Sequence, residues 1–154
     1  MDRFEELLKE LGEVIDVPLH LDKHRACKIN VNHFLNVQLE GDPLKERILM
    51  AAFLCDVPAG KFRENVFKDA LKINNLYPRI GTLAYSQRNN KLALFEYVYF
   101  HDLNAKKLSE ILSKFIDRGT LWKTAIEKKG QSSPSEEIPV KNQTGSIFDI
   151  KSPS

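Results

Sequence analysis

Apolar residues recur with two periods along the chain, and the change of period marks its elements. Phe4, Leu7, Leu8, Leu11 and Ile15 return at helical spacing, with Glu5, Glu6, Lys9, Glu10 and Glu13 opposite, which predicts an amphipathic helix over 2–16. Asp2 suits its N-cap and Pro18 its stop. Gly12 lies inside that helix and costs it about 1 kcal/mol relative to alanine. The period then falls to two. Cys27, Ile29 and Val31 alternate with Lys28, Asn30 and Asn32, and Leu35, Val37 and Leu39 alternate with Asn36, Gln38 and Glu40. These read as two strands joined at Asn32–His33. Gly41–Asp42–Pro43 marks another turn before a third strand, Ile48 to Cys55, which is apolar on both faces.

Helical period returns over 60–75 with Phe62, Val66, Phe67, Ala70 and Leu71. Thr82 to Gln87 and Lys91 to Phe100 follow as strands around Arg88–Asn89–Asn90. Asn104 then caps a last helix over 105–128, with Leu108, Ile111, Leu112, Phe115, Trp122 and Ile126 as its stripe. The order α-β-β-β-α-β-β-α predicts an α+β domain: a five-stranded antiparallel sheet with its three helices on one side. From Gly130 eleven of the last 25 residues are Gly, Pro or Ser. The expected division is a domain over 1–129 and a disordered tail over 130–154, with Ile147–Phe148–Asp149–Ile150 as a short apolar island in it.

Two strands break the rule for a sheet with one wet face, which alternates polar and apolar. The fifth strand sets Leu92, Leu94, Glu96, Val98 and Phe100 on one face and Ala93, Phe95, Tyr97 and Tyr99 on the other. Neither face is polar, and the third strand is the same. Three helices cover one face of such a sheet and hardly both, so apolar surface is left over, the mark of a protein interface. The second helix adds to it: one stripe, Phe62, Val66 and Ala70, can pack on the sheet while Phe67 and Leu71 meet a second subunit.

Composition narrows the function without naming it. The 154 residues suit one domain, and 23 basic against 21 acidic side chains give a net charge of +2. That balance, with no basic run longer than two, argues against a nucleic-acid partner. No signal-peptide pattern opens the chain, and its longest apolar run is far short of a membrane span. A cytoplasmic bacterial protein is expected, with Cys27 and Cys55 as buried free thiols.

Catalytic chemistry is thin. His20, Asp22 and His24 share a strand face and could ligate zinc, but the segment reads as a solvated edge with no fourth ligand. Cys27 with His33 as nucleophile and base is weaker than Cys27 as a core thiol. His101 stands alone after the fifth strand. No phosphate loop or nucleophile elbow occurs. The expectation is a binding protein with no enzymatic activity, metal or cofactor.

Element order and several stretches together resemble the class I type III secretion chaperones, the Tir-chaperone (SycE-like) family. The stretches are Ala26–Val31, Ile48–Pro58, Phe67–Asn74, Gly81–Tyr85 and Leu103–Trp122. The opening Phe4–Gly12 is similar to chlamydial SycE-like chaperones. The resemblance implies a dimer, of identical or related subunits, that binds the N-terminal segment of a secreted effector or gatekeeper protein and keeps it export-competent. It implies a dimer interface from the second helix and the next strand, here Phe62, Val66, Phe67, Ala70, Leu83 and Tyr85. It implies cargo patches on the first helix and the sheet, from exposed members of Phe4, Leu8, Leu11, Val37, Phe95 and Tyr97.

Two features depart from the family pattern. Its members are usually acidic, whereas residues 1–130 here hold 21 basic and 18 acidic groups, and the tail is long. A regulatory domain sequestering a transcription or secretion-assembly factor through the same surface is the alternative, and a small metalloenzyme built on His20, Asp22 and His24 is the third.

Overall fold

The computed structural model describes residues 2–135. Helix α1 (Arg3–Ile15) opens with a capping box: Asp2 Oδ1 accepts from Glu5 N–H at 2.9 Å, and Glu5 Oε1 accepts from Asp2 N–H at 3.3 Å. Two orphan donors are thereby satisfied. Phe4, Leu7, Leu8 and Leu11 turn inward. The helix ends at Asp16, in the left-handed region at φ 57°, and Val17 N–H donates to Gly12 O at 3.0 Å.

Five strands follow the expected order. They are β1 (Ala26–Val31), β2 (Leu35–Asp42), β3 (Arg47–Asp56), β4 (Thr82–Ser86) and β5 (Lys91–Tyr99), interrupted by α2 (Lys61–Asn74) and followed by α3 (Ala105–Glu127). The sheet is antiparallel with spatial order β1-β2-β3-β5-β4, so β3 and β5 are central or next to centre and β1 and β4 are the edges. Asn32 and His33 both take positive φ at the β1–β2 turn, and His33 N–H donates to Asn30 Oδ1 at 2.8 Å.

Register decides what shares a face. Ile29 pairs with Val37, Leu39 with Met50, Ile48 with Val98, Ala52 with Leu94, and Leu83 with Leu94. These residues form the inner face, all buried. α1 and α3 pack on it and on one another, while α2 lies along β4. Trp122 and Phe115 of α3 are wholly buried, and truncating either to alanine costs about 3–5 kcal/mol. Gly119 lets α3 come close: a Cβ there would lie 3.0 Å from Leu35 Cδ2 and 3.3 Å from Leu54 Cδ2.

The register of β3 against β5 shifts between Phe53 and Cys55, leaving Leu54 as the extra residue of a bulge. Lys123 of α3 closes it, with Nζ donating to Leu54 O at 2.9 Å and to Glu127 Oε2 at 3.0 Å. The segment after α3 is packed as far as it is described. Ser132 and Ser133 hydroxyls donate to Asp69 Oδ2 of α2 at 2.7 and 2.8 Å, and Pro134 is buried. Ser132 and Ser133 of the expected tail thus lie on α2, and 136–154 are outside the described residues. The island Ile147–Ile150 lies outside the described residues.

Candidate functional site: the open face of the sheet

The outer face follows from the same register. Arg47 pairs with Tyr99, Leu49 with Tyr97, Ala51 with Phe95, Phe53 with Ala93, and Ala84 with Ala93. No helix covers these residues: Phe53 is 53% exposed, Tyr97 41% and Tyr99 55%. On β1 and β2 the same face carries Lys28, Asn30, Asn36, Gln38 and Glu40, with Asn30 Nδ2 donating to Asn36 Oδ1 at 2.9 Å. One face of one sheet is thus polar over β1–β2 and largely apolar over β3–β5, with Thr82, Ala84 and Ser86 of β4 beside it. On this face lies a hollow of about 750 Å³, lined by Ala51, Phe53, Ala93 and Phe95 with Lys28 and Lys91, and bordered by Lys123 and Glu127 of α3.

Aromatic order on this face is held from within. The Arg47 guanidinium lies 3.7 Å from the Tyr97 ring centroid. Its Nη1 donates to Tyr99 Oη at 3.3 Å and its Nε to Asp42 Oδ2 at 3.3 Å. Phe95 and Tyr97 meet edge to face at 5.9 Å. Such stacking fixes rings that would otherwise lose rotamer freedom on binding a partner.

Both sheet edges are partly closed by an Asx side chain. On β1, Ala26 N–H donates to Asp22 Oδ1 at 3.0 Å and Ala26 O accepts from Asp22 N–H at 2.8 Å. On β4, Leu83 N–H donates to Asn74 Oδ1 at 2.8 Å and Leu83 O accepts from Asn74 Nδ2 at 2.9 Å. Antiparallel alternation then points the main-chain groups of Lys28 and Asn30 on β1, and of Tyr85 on β4, away from the sheet. These are the places where an extended chain can add.

The residues nominated from the sequence divide by burial. Of the cargo set, Phe4, Leu8, Leu11 and Val37 are core residues at 3, 3, 0 and 0% exposure, so they cannot be the exposed members. α1 has one apolar stripe and spends it on α3 and the sheet, and Val37 sits on the inner face opposite Ile29. Phe95 and Tyr97 lie on the open face as expected. Tyr99, set on this face by the strand's parity, and Leu49 and Phe53 lie beside them outside the nominated set, and the two-sided apolar pattern of β3 was the signal for Phe53. Of the dimer set, Val66, Ala70 and Leu83 are buried within the protomer. Phe62, Phe67 and Tyr85 are half-buried, and Phe67 leans on Tyr85 with ring centroids 5.0 Å apart. Leu71, one turn on from Phe67, is 69% exposed.

The chemical candidates have structural duties. Asp22 Oδ1 accepts from both Ala26 N–H and His24 N–H, and these main-chain bonds hold its carboxyl below the usual range. Among the described residues no three His, Cys, Asp or Glu side chains gather as metal ligands do. Cys27 is buried on the inner face while His33 is exposed at the turn, so the two do not form a nucleophile and base. Burial pushes the Cys27 thiol up, and the Cys55 thiol up to about 11, which disfavours the reactive thiolate. His101 is exposed beside Asp102. Glu96 faces inward opposite Met50, with its Oε1 buried without a hydrogen-bond partner. Burial pushes its carboxyl above the usual range, partly opposed by Arg118.

The fold has counterparts. A chain of the HopA1–SchA chaperone–effector complex superposes with a TM-score of 0.67 at 17% identity, covering 79% of this chain and 94% of that one. A chain in the structure of the Yersinia pestis type III secretion chaperone SycH with a fragment of YscM2 gives 0.59 at 12% identity, over 76% and 97%. A chain of the ExoT–SpcS complex from Pseudomonas aeruginosa gives 0.60 at 15% identity, over 78% and 97%. No curated protein sequence matches the chain. A family model does match, over residues 6–123, from the first turn of α1 to the last turns of α3. With every element of the sheet inside that span, the chain belongs to the Tir chaperone protein (CesT) family.

Proposed function

We propose that this protein is a cytoplasmic type III secretion chaperone that binds the N-terminal segment of a secreted effector or gatekeeper protein and keeps it extended for export. The observation that carries the reading is the uncovered, largely apolar face of β3 and β5, in a chain of the CesT family. Phe53, Tyr97 and Tyr99 are exposed on it in the protomer. Apolar side chains of the cargo would fill the hollow over Ala51 and Ala93, each Å² buried contributing about 25 cal/mol before the cost of ordering the segment. The free main-chain groups of Lys28 and Asn30 would hold an extended segment by strand addition.

The active unit in this reading is a dimer, with a second copy or a related chaperone, joined through Phe67, Leu71 and Tyr85 on the α2–β4 side. No helix of the described residues is long and apolar enough to cross a membrane, which fits a chaperone acting before export. Binding, without catalysis or a cofactor, is the whole of the activity proposed. The test is co-purification from the native host, with mass spectrometry of the bound protein and truncation of it from either end. A secreted protein retained through its N-terminal segment is expected. A transcriptional or assembly regulator in its place, retained through a folded domain, would overturn the reading.

A further inference from the structure

The chain leaves α3 beside the open face of the sheet. Glu127, the last residue of α3, borders the hollow lined by Ala51, Phe53, Ala93 and Phe95. Gln131 N–H donates to Ala125 O at 2.8 Å, so the chain is still at the end of the helix there. Ser132 and Ser133 then donate to Asp69 of α2. Ser135 is the last described residue, and even a fully extended chain keeps it within ~14 Å of Gln131. The residues between Ser135 and Ile147 span up to ~40 Å, more than the way back past Gln131 to Glu127.

What that length of chain carries matches the hollow. Beyond Ser135 the sequence holds one aromatic residue, Phe148, in the island Ile147–Phe148–Asp149–Ile150. Ile138 and Val140 flank Pro139, which has no N–H to give a neighbouring strand. In an extended segment residues two apart share a side, so Phe148 and Ile150 face one way. The hollow offers that pair exposed apolar surface: Phe53 is 53% exposed, and Ala51, Ala93 and Phe95 are half-buried. The two alanines leave room that a ring and a branched side chain fill. Charge agrees as well. Among the described residues lining the hollow are three lysines, Lys28, Lys91 and Lys123, and one carboxylate, Glu127. Lys91 pairs with Asp56 at 2.8 Å and Lys123 with Glu127 at 3.0 Å. Lys28 is exposed and, among the described residues, enters no ion pair. Its long stem can lie along the apolar surface and bring the ammonium to Asp149.

We propose that Ile147–Ile150 docks in the open-face hollow of its own chain, with Phe148 and Ile150 over Ala51 and Ala93 and Asp149 towards Lys28. The tail thereby occupies the surface that a bound partner needs. The docking itself does not rest on the chaperone reading; only its competition with cargo does. A flexible tether of this length holds the island at millimolar effective concentration, so a contact too weak to matter between separate molecules still fills the hollow for much of the time. A partner then binds only the fraction of the protein whose hollow is empty.

The test places a nitroxide spin label at Ser146→Cys in the full, isotope-labelled chain and reads paramagnetic broadening of its amide resonances. Cys27 and Cys55 are buried and stay unlabelled. Broadening is expected at Ala51, Phe53, Ala93 and Phe95, and should vanish with Phe148→Ser/Ile150→Ser or with Phe53→Asp; the same spectra report that each variant is folded. Mixing spin-labelled chains with separate isotope-labelled chains should give none. In addition, a fluorescein-labelled peptide of residues 145–152, titrated by anisotropy, should bind Phe148→Ser/Ile150→Ser about threefold to tenfold more tightly than the parent, because the variant's hollow stands open. Absence of broadening on the sheet, broadening at Leu71 and Tyr85 instead, broadening in the mixed sample, or equal peptide affinity for parent and variant would overturn the proposal. Docking as expected, with no secreted protein co-purifying from the host, sinks the chaperone reading and leaves the docking standing.

Discussion

Asn74, the last residue of α2, holds Leu83 of β4 through both of its main-chain groups: Leu83 N–H donates to Asn74 Oδ1 at 2.8 Å, and Leu83 O accepts from Asn74 Nδ2 at 2.9 Å. A side-chain amide is the one group that offers a donor and an acceptor at the spacing of a strand's edge. It ties helix to sheet and blocks strand addition at that point.

Asn74→Ala should therefore destabilise the protein by about 1–3 kcal/mol, since it leaves a half-buried N–H and C=O unpaired. Asn74→Asp should do nearly as badly, because its carboxylate still accepts from Leu83 N–H but faces the Leu83 oxygen. Urea denaturation of the three proteins measures this. A change within about 0.5 kcal/mol for alanine, the range of ordinary surface substitutions, would mean that the edge is not closed in solution.

Gly12→Ala pits two effects against each other. Helix propensity alone predicts a gain of about 1 kcal/mol. The chain folding back after Asp16 predicts a loss, because the new Cβ would sit 2.8 Å from the Val17 oxygen and main chain must move to admit it, at about 1–3 kcal/mol. The geometry favours the second, so the thermal midpoint should fall. A rise would show that Val17–Leu21 does not lie across α1.

Glu96 makes stability depend on pH in a direction opposite to most carboxylates. Its carboxyl is raised in the folded state by burial, so the folded protein binds its proton more tightly than the unfolded chain does. That stabilising contribution is complete below the unfolded pKa and is lost as pH rises through the folded value. Glu96→Gln removes the loss. The variant should match the parent in acid and grow more stable than it as pH rises from the ordinary carboxylate range towards neutrality, in denaturation curves taken across that range. A variant less stable than the parent at neutral pH would mean that the Arg118 attraction outweighs burial.

What the chain discloses without its structure depends on whether a residue's neighbours are local. Asp2 and Asn104 are legible as caps because a cap needs only the following three residues. Alternation in β1 and β2 gives those strands and their parity for the same reason. Burial is another matter. Phe4, Leu8 and Leu11 share a stripe that periodicity finds, but only packing on α3 and the sheet makes them core rather than patch. Val37 carried a usable sign, since Asn36, Gln38 and Glu40 mark the wet side of β2. The surplus apolar face was foreseeable in kind, from Ala93, Phe95, Tyr97 and Tyr99. The two-sided apolar run of β3 hints at Leu49 and Phe53, but only the register of β3 on β5 decides that they join this face. The Asp22 and Asn74 edge closures pair side chains with main chain in a different element, and composition holds no trace of them.

The central claim is that the open face of β3 and β5 holds the cargo. Isothermal titration should compare the parent chain with Phe53→Asp/Tyr97→Asp, using the N-terminal segment of whichever secreted protein co-purifies. Both side chains are exposed in the protomer, so the thermal midpoint should change little. Loss of two aromatic anchors should weaken binding by about a hundredfold or more. Unchanged affinity in a stably folded double variant would contradict the account.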